Sequence, residues 1–282
     1  MGSTTYIPPV DMILIIIFSG ISICLSIAVI IICIKKQILE SFTSKIIICM
    51  SINDTICSLN LILIQTLAKF INNCWFLYLF DASIMSNLIW ALCIALTLRE
   101  VIIKKSAHYK RYFKFWFILA YPMIIVLFAI PFITGGYIYN GGVCYITEKG
   151  YWVILLYLLF TVPFLLFTFT ILIIFINIYI SCRGTKKNSL KTIIIKRGYI
   201  YPLSVLIIIL PSTISACIEY FYKSSIYNKS GIFTLTFLSC HGILNAITLM
   251  LNKSVRKIMF KKPEDSMILR SLEGYSFLDI TE

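Results

Sequence analysis

Few side chains in this sequence belong to a pattern that could catalyse a reaction or bind a metal ion. The chain has only 2 histidines, His108 and His241. It contains no HExxH pattern, no glycine-rich phosphate loop and no pair of cysteines at metal-ligand spacing. We therefore expect a protein that is not an enzyme, with no cofactor and no metal site.

One carboxylate nevertheless stands out by its surroundings. Asp54 lies in a long apolar stretch, beside Asn53 and shortly before Asn60. A carboxylate in an apolar environment needs hydrogen-bond donors or a cation. The sequence offers Asn87 and Asn245 as donors, with a bound cation as another possibility. The alternative is that Asp54 makes a hydrogen bond that serves packing alone.

A second group of polar side chains falls near the end of two later apolar stretches. We interpret Glu219, Tyr220, Tyr222 and His241 as a polar, aromatic cup for a neutral or cationic molecule. A phosphate ligand is not expected. The sequence predicts a bundle of transmembrane helices, and the outer half of that bundle holds no arginine that could bind a phosphate. Two alternatives stay open: Glu219 could lie at the membrane interface, and His241 could be an interhelical hydrogen-bond donor.

The elements that position these residues are membrane helices. Apolar residues make up 60% of the chain and charged residues 13%, and the mean hydropathy is +0.93. Soluble domains carry about a quarter charged residues. Apolar runs of more than 18 residues bounded by lysines favour helices over strands, since the bilayer requires internally satisfied backbone groups.

Seven such runs are present, and we predict an all-α membrane protein with a seven-helix transmembrane bundle. The third run, from Cys74 to Arg99, would rise about 37 Å as a helix, enough to cross the bilayer. The predicted spans are residues 12–34, 46–68, 77–103, 113–134, 151–176, 199–222 and 232–251.

Lysine and arginine predict the orientation of the bundle. The flanks after spans one, three and five and the tail hold 20 of them, against 4 in the other loops and the N-terminus. By the positive-inside rule the amino terminus lies outside and the tail in the cytoplasm. The net charge of +13 is thereby explained by orientation and by contact with membrane lipid, not by nucleic acid.

The 10 cysteines do not form a disulfide framework in this arrangement. Most lie within spans, where a thiol is a small apolar filler. Only Cys74 and Cys144 face the oxidising exterior, which predicts a bridge from the third span to the second outer loop. The alternative is two free thiols. Asn228, in the last outer loop, begins an acceptable glycosylation sequon.

The chain divides into four segments. Residues 1–11 form an extracellular N-terminus without a removable signal peptide, and residues 12–252 form the bundle. Residues 253–262 form an amphipathic helix on the inner membrane surface, and residues 263–282 form a cytoplasmic tail.

Seven spans, an outer amino terminus, a bridge from span three and a surface helix after span seven together resemble a G-protein-coupled receptor. The segments look most like the slime-mould cyclic-AMP receptor family and the related fungal nutrient-sensing receptors. The motifs that carry the similarity are Trp90-Ala91-Leu92-Cys93, Tyr201-Pro202-Leu203, Leu210-Pro211, His241-Gly242, Asn245-Ala246 and Asn252.

The resemblance implies a plasma-membrane receptor that binds an extracellular ligand and activates a heterotrimeric G protein. Arg99 would reach the G-protein cavity and Asp54 would be the switch-linked acid. The other switch positions implied are Trp90, Glu100, Pro202, Pro211 and Asn245. The chain departs from rhodopsin-like receptors in two places: Glu100 follows Arg99 where an acidic residue usually precedes it, and Asn245 is followed by alanine instead of proline.

Two other functions stay open from the sequence. A small transporter or channel could use Asp54, Glu100 and Glu219 as an ion path, because these acids lie at different depths on three spans. A receptor-like protein that no longer couples is suggested by the altered motifs around Arg99 and Asn245.

Overall fold

The structure is a computed structural model that describes residues 9–35, 42–67, 74–100, 103, 112–140, 143–146, 162–182, 207, 211 and 235–251. These residues form helices, apart from one short β-hairpin. In chain order the elements are α1 (Pro9–Lys35), α2 (Phe42–Thr66), α3 (Trp75–Arg99), α4 (Phe113–Ile118), a π-helical segment (Leu119–Met123), α5 (Ile124–Ile133), β1 (Tyr137–Asn140), β2 (Val143–Ile146), α6 (Val162–Cys182) and α7 (His241–Leu251).

Five helices are long and apolar enough to cross a membrane. They are α1, α2, α3, the continuous run Phe113–Ile133 and α6. Each satisfies its own backbone hydrogen bonds, which the hydrocarbon core demands. Large apolar side chains, isoleucine above all, lie exposed along α1, α5 and α6. We conclude that the protein is a multi-pass membrane protein.

The third helix lies at the centre of the packing. α3 contacts α2, α5 and α6, whereas α1 packs between α2 and α7. The buried residues of α3 include Met85, Leu88, Ile89, Trp90 and Leu98. The same helix buries the polar residues Ser83, Ser86 and Asn87. A helix that is covered on most sides is the one that can carry polar groups to the middle of the bundle.

The fourth span is interrupted in its middle. Residues Leu119–Met123 form a π-helical turn that contains Pro122. Proline lacks the N–H of a regular helix and clashes with the preceding turn, and a π-helical turn accommodates this. Within this turn, the hydroxyl of Tyr121 donates to the carbonyl of Cys49 in α2 at 2.9 Å.

A hairpin follows the fourth span. β1 and β2 are antiparallel, with Asn140 opposite Val143. The sequence analysis predicted helices for the apolar runs and assigned no structure to this loop, so the hairpin adds to the predicted fold. Its sequence carries a hairpin signal, Asn-Gly-Gly between β-branched and aromatic residues, and it lies beyond the membrane helix, where strands are permitted.

The α-helical part of the third span ends at Arg99, and Glu100 and Ile103, the described residues in the rest of the predicted span, are π-helical. The fifth span differs from prediction at its end. α6 continues to Cys182, beyond the predicted end at residue 176, because Asn177 does not stop a helix whose next four residues are helix-compatible. The sixth span lies almost entirely outside the described residues, as do the surface helix at 253–262, the tail and most of the N-terminal segment. The seventh span is described over residues 235–251.

Candidate functional site

Three side chains from two helices meet at the carboxylate of Asp54, which lies on a third helix. The Asp54 cluster consists of Asp54 on α2, Asn87 on α3, and His241 and Asn245 on α7. Asn87 Nδ2 donates to Asp54 Oδ1 at 3.0 Å, and Asn245 Nδ2 donates to Oδ2 at 2.8 Å. His241 Nδ1 lies 2.6 Å from Oδ1. All four residues are buried, Asp54 with 1% and His241 with 5% of its surface exposed.

The spacing on α7 explains how the cluster forms. His241 and Asn245 are four residues apart, so they lie on one face of the helix, one turn above the other. The two amide nitrogens also lie near the imidazole, at 3.5 Å from Nδ1 for Asn87 and 3.3 Å for Asn245. The predicted contacts of Asp54 with Asn87 and Asn245 are thus confirmed. A role of Asp54 as a switch stays a prediction.

Two further hydrogen bonds connect the helices around the Asp54 cluster. Asn53 Nδ2 donates to Ser86 Oγ at 2.6 Å, which joins α2 to α3. Ser58 Oγ donates to Ser22 Oγ at 2.9 Å, which joins α2 to α1. Asn60, by contrast, donates to the carbonyl of Ile56 in its own helix. The polar residues of α2 therefore differ in kind: some hold neighbouring helices and one satisfies only its own turn.

Close approach of α7 to α1 depends on a glycine. A Cβ placed on Gly242 would lie 2.2 Å from Ser22 Oγ, 2.8 Å from Ser26 Oγ and 3.2 Å from Asp54 Cβ. No real side chain fits at such distances without a shift of its neighbours. Gly242 follows His241 directly, so the residue that allows the approach is next to the one that contacts Asp54.

The centre of the bundle keeps unused hydrogen-bonding capacity. Among the described residues, six buried side-chain atoms have no hydrogen-bond partner, and four of them are Ser19 Oγ, Ser26 Oγ, Asn87 Oδ1 and His241 Nε2. The described residues contain no group of three or more histidine, cysteine, aspartate or glutamate side chains that could hold a metal ion. This arrangement can bind hydrogen-bonding groups, and it holds three helices together.

Two of the residues predicted for coupling, Arg99 and Glu100, lie at the end of α3. Arg99 ends the helix and is partly exposed. Glu100 follows it, and its backbone N–H donates to the carbonyls of Leu96 and Thr97. Trp90 lies nearer the centre, fully buried, with ring centroids 5.8 Å from Phe113 and 6.1 Å from Tyr121. On α3, Trp90 lies about one turn from Asn87 of the Asp54 cluster, whereas Arg99 lies about three turns from it.

Cys74, at the start of α3, is disulfide-bonded. The other cysteines whose side chains are described are free: Cys24, Cys33, Cys49, Cys57, Cys93 and Cys240. Cys144 belongs to β2, and its predicted pairing with Cys74 stays a prediction.

Other predicted site residues lie outside the described residues. These are Glu219, Tyr220, Tyr222, Pro202 and Asn228. Pro211 is described as helical and partly exposed, without its neighbours. Of the predicted ligand cup only His241 is described, and its contact is with Asp54. Its assignment to ligand binding stays a prediction.

Several residues of this site were missed by the sequence analysis. Gly242 and the serines of α1 were given no structural role there. Ser19, Ser22 and Ser26 follow each other at three and four residues, which places small polar residues on one face of α1. Small residues at helical spacing typically mark a close helix contact in membranes, so this pattern was the available signal.

Comparison with known proteins adds no family to these observations. No protein-family model matches the chain, and no curated protein matches its sequence.

Proposed function

We propose that this protein is a cell-surface G-protein-coupled receptor. The observation that carries the proposal is the Asp54 cluster, in which one buried carboxylate joins α2, α3 and α7. Receptors respond to a ligand by a shift between two arrangements of the bundle. A cluster of hydrogen bonds shared by three helices is a suitable two-state element, because a small movement of α7 changes all of its contacts together.

The proposal places ligand binding outside and coupling inside. With the amino terminus outside, Cys74 lies at the outer end of α3 and Arg99 at the inner end. An extracellular ligand without phosphate would bind near Glu219, Tyr220, Tyr222 and His241. The heterotrimeric G protein would bind around Arg99 and Glu100, with Trp90, Pro202, Pro211 and Asn245 linking the two ends.

A disulfide between Cys74 and Cys144 completes this proposal. Trp75 and Tyr78, next to Cys74 on α3, contact Phe132 near the end of α5, with ring centroids 4.3 Å and 5.8 Å apart. β1 begins five residues after Phe132. The hairpin that carries Cys144 therefore starts close to Cys74, which supports Cys144 as its partner.

The experiment that tests the function is ligand-dependent nucleotide exchange. The full chain is expressed with each class of Gα subunit in turn, and exchange is measured in membranes while a panel of neutral and cationic small metabolites is added. A receptor produces exchange with at least one combination, and Arg99→Ala abolishes it without lowering surface expression. Exchange that is unchanged by Arg99→Ala would contradict the coupling site.

A small transporter or channel is the second candidate. It is favoured by the buried contact of Asp54 with His241, since ionisable groups within spans are typical of ion pathways. Sealed vesicles that contain the purified protein and no G protein separate the candidates. Flux of protons or of a metabolite across the vesicle membrane supports transport, whereas a receptor gives none. Absence of both flux and exchange would favour a receptor-like protein that has lost coupling.

A further inference from the structure

The lysine and arginine residues within the described part of the chain lie at one end of the helices. Lys35 ends α1, Lys45 lies in the first turn of α2, Arg99 ends α3 and Lys114 lies in the first turn of α4. Because successive spans run in opposite directions, these four positions belong to the same side of the membrane. The positive-inside rule assigns this side to the inner leaflet, where anionic lipids are abundant.

Two of these lysines lie beside the same aromatic side chain. Nζ of Lys45 lies over the ring of Phe113, 6.0 Å from its centroid, and Lys114 is the next residue along the chain. A cation at this distance is attracted to the ring, so Lys45 is directed from α2 toward the fourth span. Tyr112 and Phe115 are exposed on either side, as is typical of aromatic residues at the membrane–water interface.

The charges of both lysines are available to an anion. The side chains of Lys45 and Lys114 are exposed. Among the described residues, no carboxylate forms an ion pair with either of them. Their flexible stems can place the ammonium groups at the depth of lipid headgroups. An anionic group at this end of α2 and α4 would therefore meet two positive charges.

An apolar surface continues from these lysines into the membrane. On α2, Ile52 and Ile56 follow Lys45 at seven and eleven residues, which places them on the same face of the helix, and both are exposed. On the fourth span, Phe117 follows Phe113 by one turn, with ring centroids 6.3 Å apart, and is also exposed. Apolar side chains thus extend from the two lysines toward the middle of both helices.

Tyr121 holds the two helices together beside this surface. Its hydroxyl donates to the carbonyl of Cys49 at 2.9 Å, and its ring lies 5.0 Å from that of Phe117. Cys49 follows Lys45 by one turn, so it belongs to the same face of α2. α2 and the fourth span therefore contact each other at two levels. We call the exposed surface along this contact the α2 seam, and its residues are Lys45, Ile52, Ile56, Phe113, Lys114 and Phe117.

We propose that the α2 seam binds an anionic phospholipid. The headgroup lies at Lys45 and Lys114, and an acyl chain lies along Ile52, Ile56 and Phe117. Charge complementarity selects the headgroup, since basic residues near the membrane surface attract anionic lipid. A sterol would cover only the apolar part of the seam, and a free phosphate would contact only the lysines. This binding does not depend on whether the protein couples to a G protein.

The test measures lipid preference with matched lysine variants. The full chain is purified in a nonionic detergent, and dioleoyl phosphatidylserine competes with dioleoyl phosphatidylcholine while bound lipid is counted by native mass spectrometry. Near physiological ionic strength, charges more than about 8 Å away are largely screened. We expect the wild type to prefer phosphatidylserine, Lys45→Gln and Lys114→Gln each to lower this preference about fivefold, and the double variant to lose it.

Lys35→Gln is the control for general attraction to a basic surface. Lys35 is exposed at the same end of the bundle, but it belongs to α1, which packs on α2 and α7. Its replacement should change the preference less than about twofold. Equal losses in Lys35→Gln and Lys45→Gln, or a wild type without preference, would overturn the proposal.

Two competitors separate the phospholipid from other occupants of the seam. Water-soluble glycerophosphoserine should displace phosphatidylserine at least about tenfold less effectively than the lipid does, because it has no acyl chain to contact the apolar side chains. Equal displacement would mean that the lysines bind a free phosphate group. A sterol should leave phosphatidylserine bound. Displacement by the sterol, or a lipid-free dimer as the main species, would contradict the proposed occupant.

Discussion

At the scale of single residues, one carboxylate organises the centre of the bundle. Asp54 accepts hydrogen bonds from side chains on two other helices. On the same helix as Asp54, Asn53 donates a hydrogen bond to α3 and Ser58 donates one to α1. In a membrane, each interhelical hydrogen bond contributes only modestly, because the separated helices find other partners. A charged acceptor with several donors contributes more than a single neutral pair.

Removal of this carboxylate should therefore destabilise the bundle. We expect Asp54→Ala to lower the free energy of unfolding by about 2–3 kcal/mol, since charge-assisted hydrogen bonds to two helices are lost and only part of this is recovered in the membrane. Asn60→Ala is the matched control, because Asn60 is buried on the same helix but bonds only its own turn. It should cost about 1 kcal/mol or less. Denaturant unfolding in mixed micelles measures both, and equal losses would contradict a special role for Asp54.

Gly242 gives a second prediction at this scale. Gly242→Ala should destabilise the protein by about 1–3 kcal/mol, because the new methyl group overlaps Ser22 Oγ and Ser26 Oγ. Ser22→Ala removes the atom at 2.2 Å and should restore part of the loss, which a double-mutant cycle detects. Gly20→Ala is the control: nothing lies within 4 Å of its added Cβ, so it should be neutral or stabilise by up to about 1 kcal/mol. A Gly242→Ala protein as stable as the wild type would refute the close contact between α1 and α7.

At the scale of elements, the π-helical turn orients the fourth span. Pro122 makes a regular turn unfavourable, and the turn that replaces it places Tyr121 against α2 and near Trp90 of α3. A single tyrosine thus contacts two helices from an irregular turn. The proline thus changes the local helix geometry, and this change brings the fourth span into contact with α2 and α3 through Tyr121.

This arrangement predicts a measurable contribution from one hydroxyl. Tyr121→Phe removes the hydrogen bond to the Cys49 carbonyl and leaves the ring, so we expect a loss of about 0.5–1.5 kcal/mol in unfolding free energy. Tyr179→Phe is the control, because Tyr179 on α6 is 72% exposed, and its effect should stay below about 0.5 kcal/mol. If the two variants lose the same amount, the contact between the fourth span and α2 is not as described.

The elements differ in how well they could be predicted from the sequence. Hydropathy predicted α1, α2, α3, the fourth span and α6, because a run of apolar residues long enough for the bilayer leaves few alternatives. The need of a buried carboxylate for hydrogen-bond donors also predicted Asn87 and Asn245 as partners of Asp54. The hairpin was not predicted because the argument from composition concerned the membrane spans, although Asn140-Gly141-Gly142 in the sequence is a hairpin signal.

The part that could not be predicted depends on how helices face each other. The contact of His241 with Asp54 joins residues 187 positions apart, and hydropathy gives no rotation of a helix about its axis. Gly242 is similar: a glycine in an apolar span has no fixed meaning until a neighbouring helix is placed against it. Helix existence follows from local physics, whereas these contacts follow from packing.

At the scale of the whole molecule, the disulfide of Cys74 gives the first test of sidedness. We expect Cys144 to resist a membrane-impermeant thiol reagent in intact cells and to become reactive in Cys74→Ser. Cys24→Ser is the control and should leave Cys144 protected, because Cys24 is a free cysteine within α1. Loss of the bridge should cost about 2–4 kcal/mol. Mass spectrometry of labelled peptides identifies the residue, and release of Cys182 or Cys217 in Cys74→Ser would refute the proposed pairing.

The most direct test of the whole account is the location of the two ends of the chain. An epitope tag is placed before Met1 in one version and after Glu282 in another, and antibody binding is measured in intact and permeabilised cells. Seven spans with the positive flanks inside predict that the first tag is stained in intact cells and the second only after permeabilisation. A first tag that is hidden in intact cells, or two tags on the same side, would contradict the receptor topology and the outer position of Cys74.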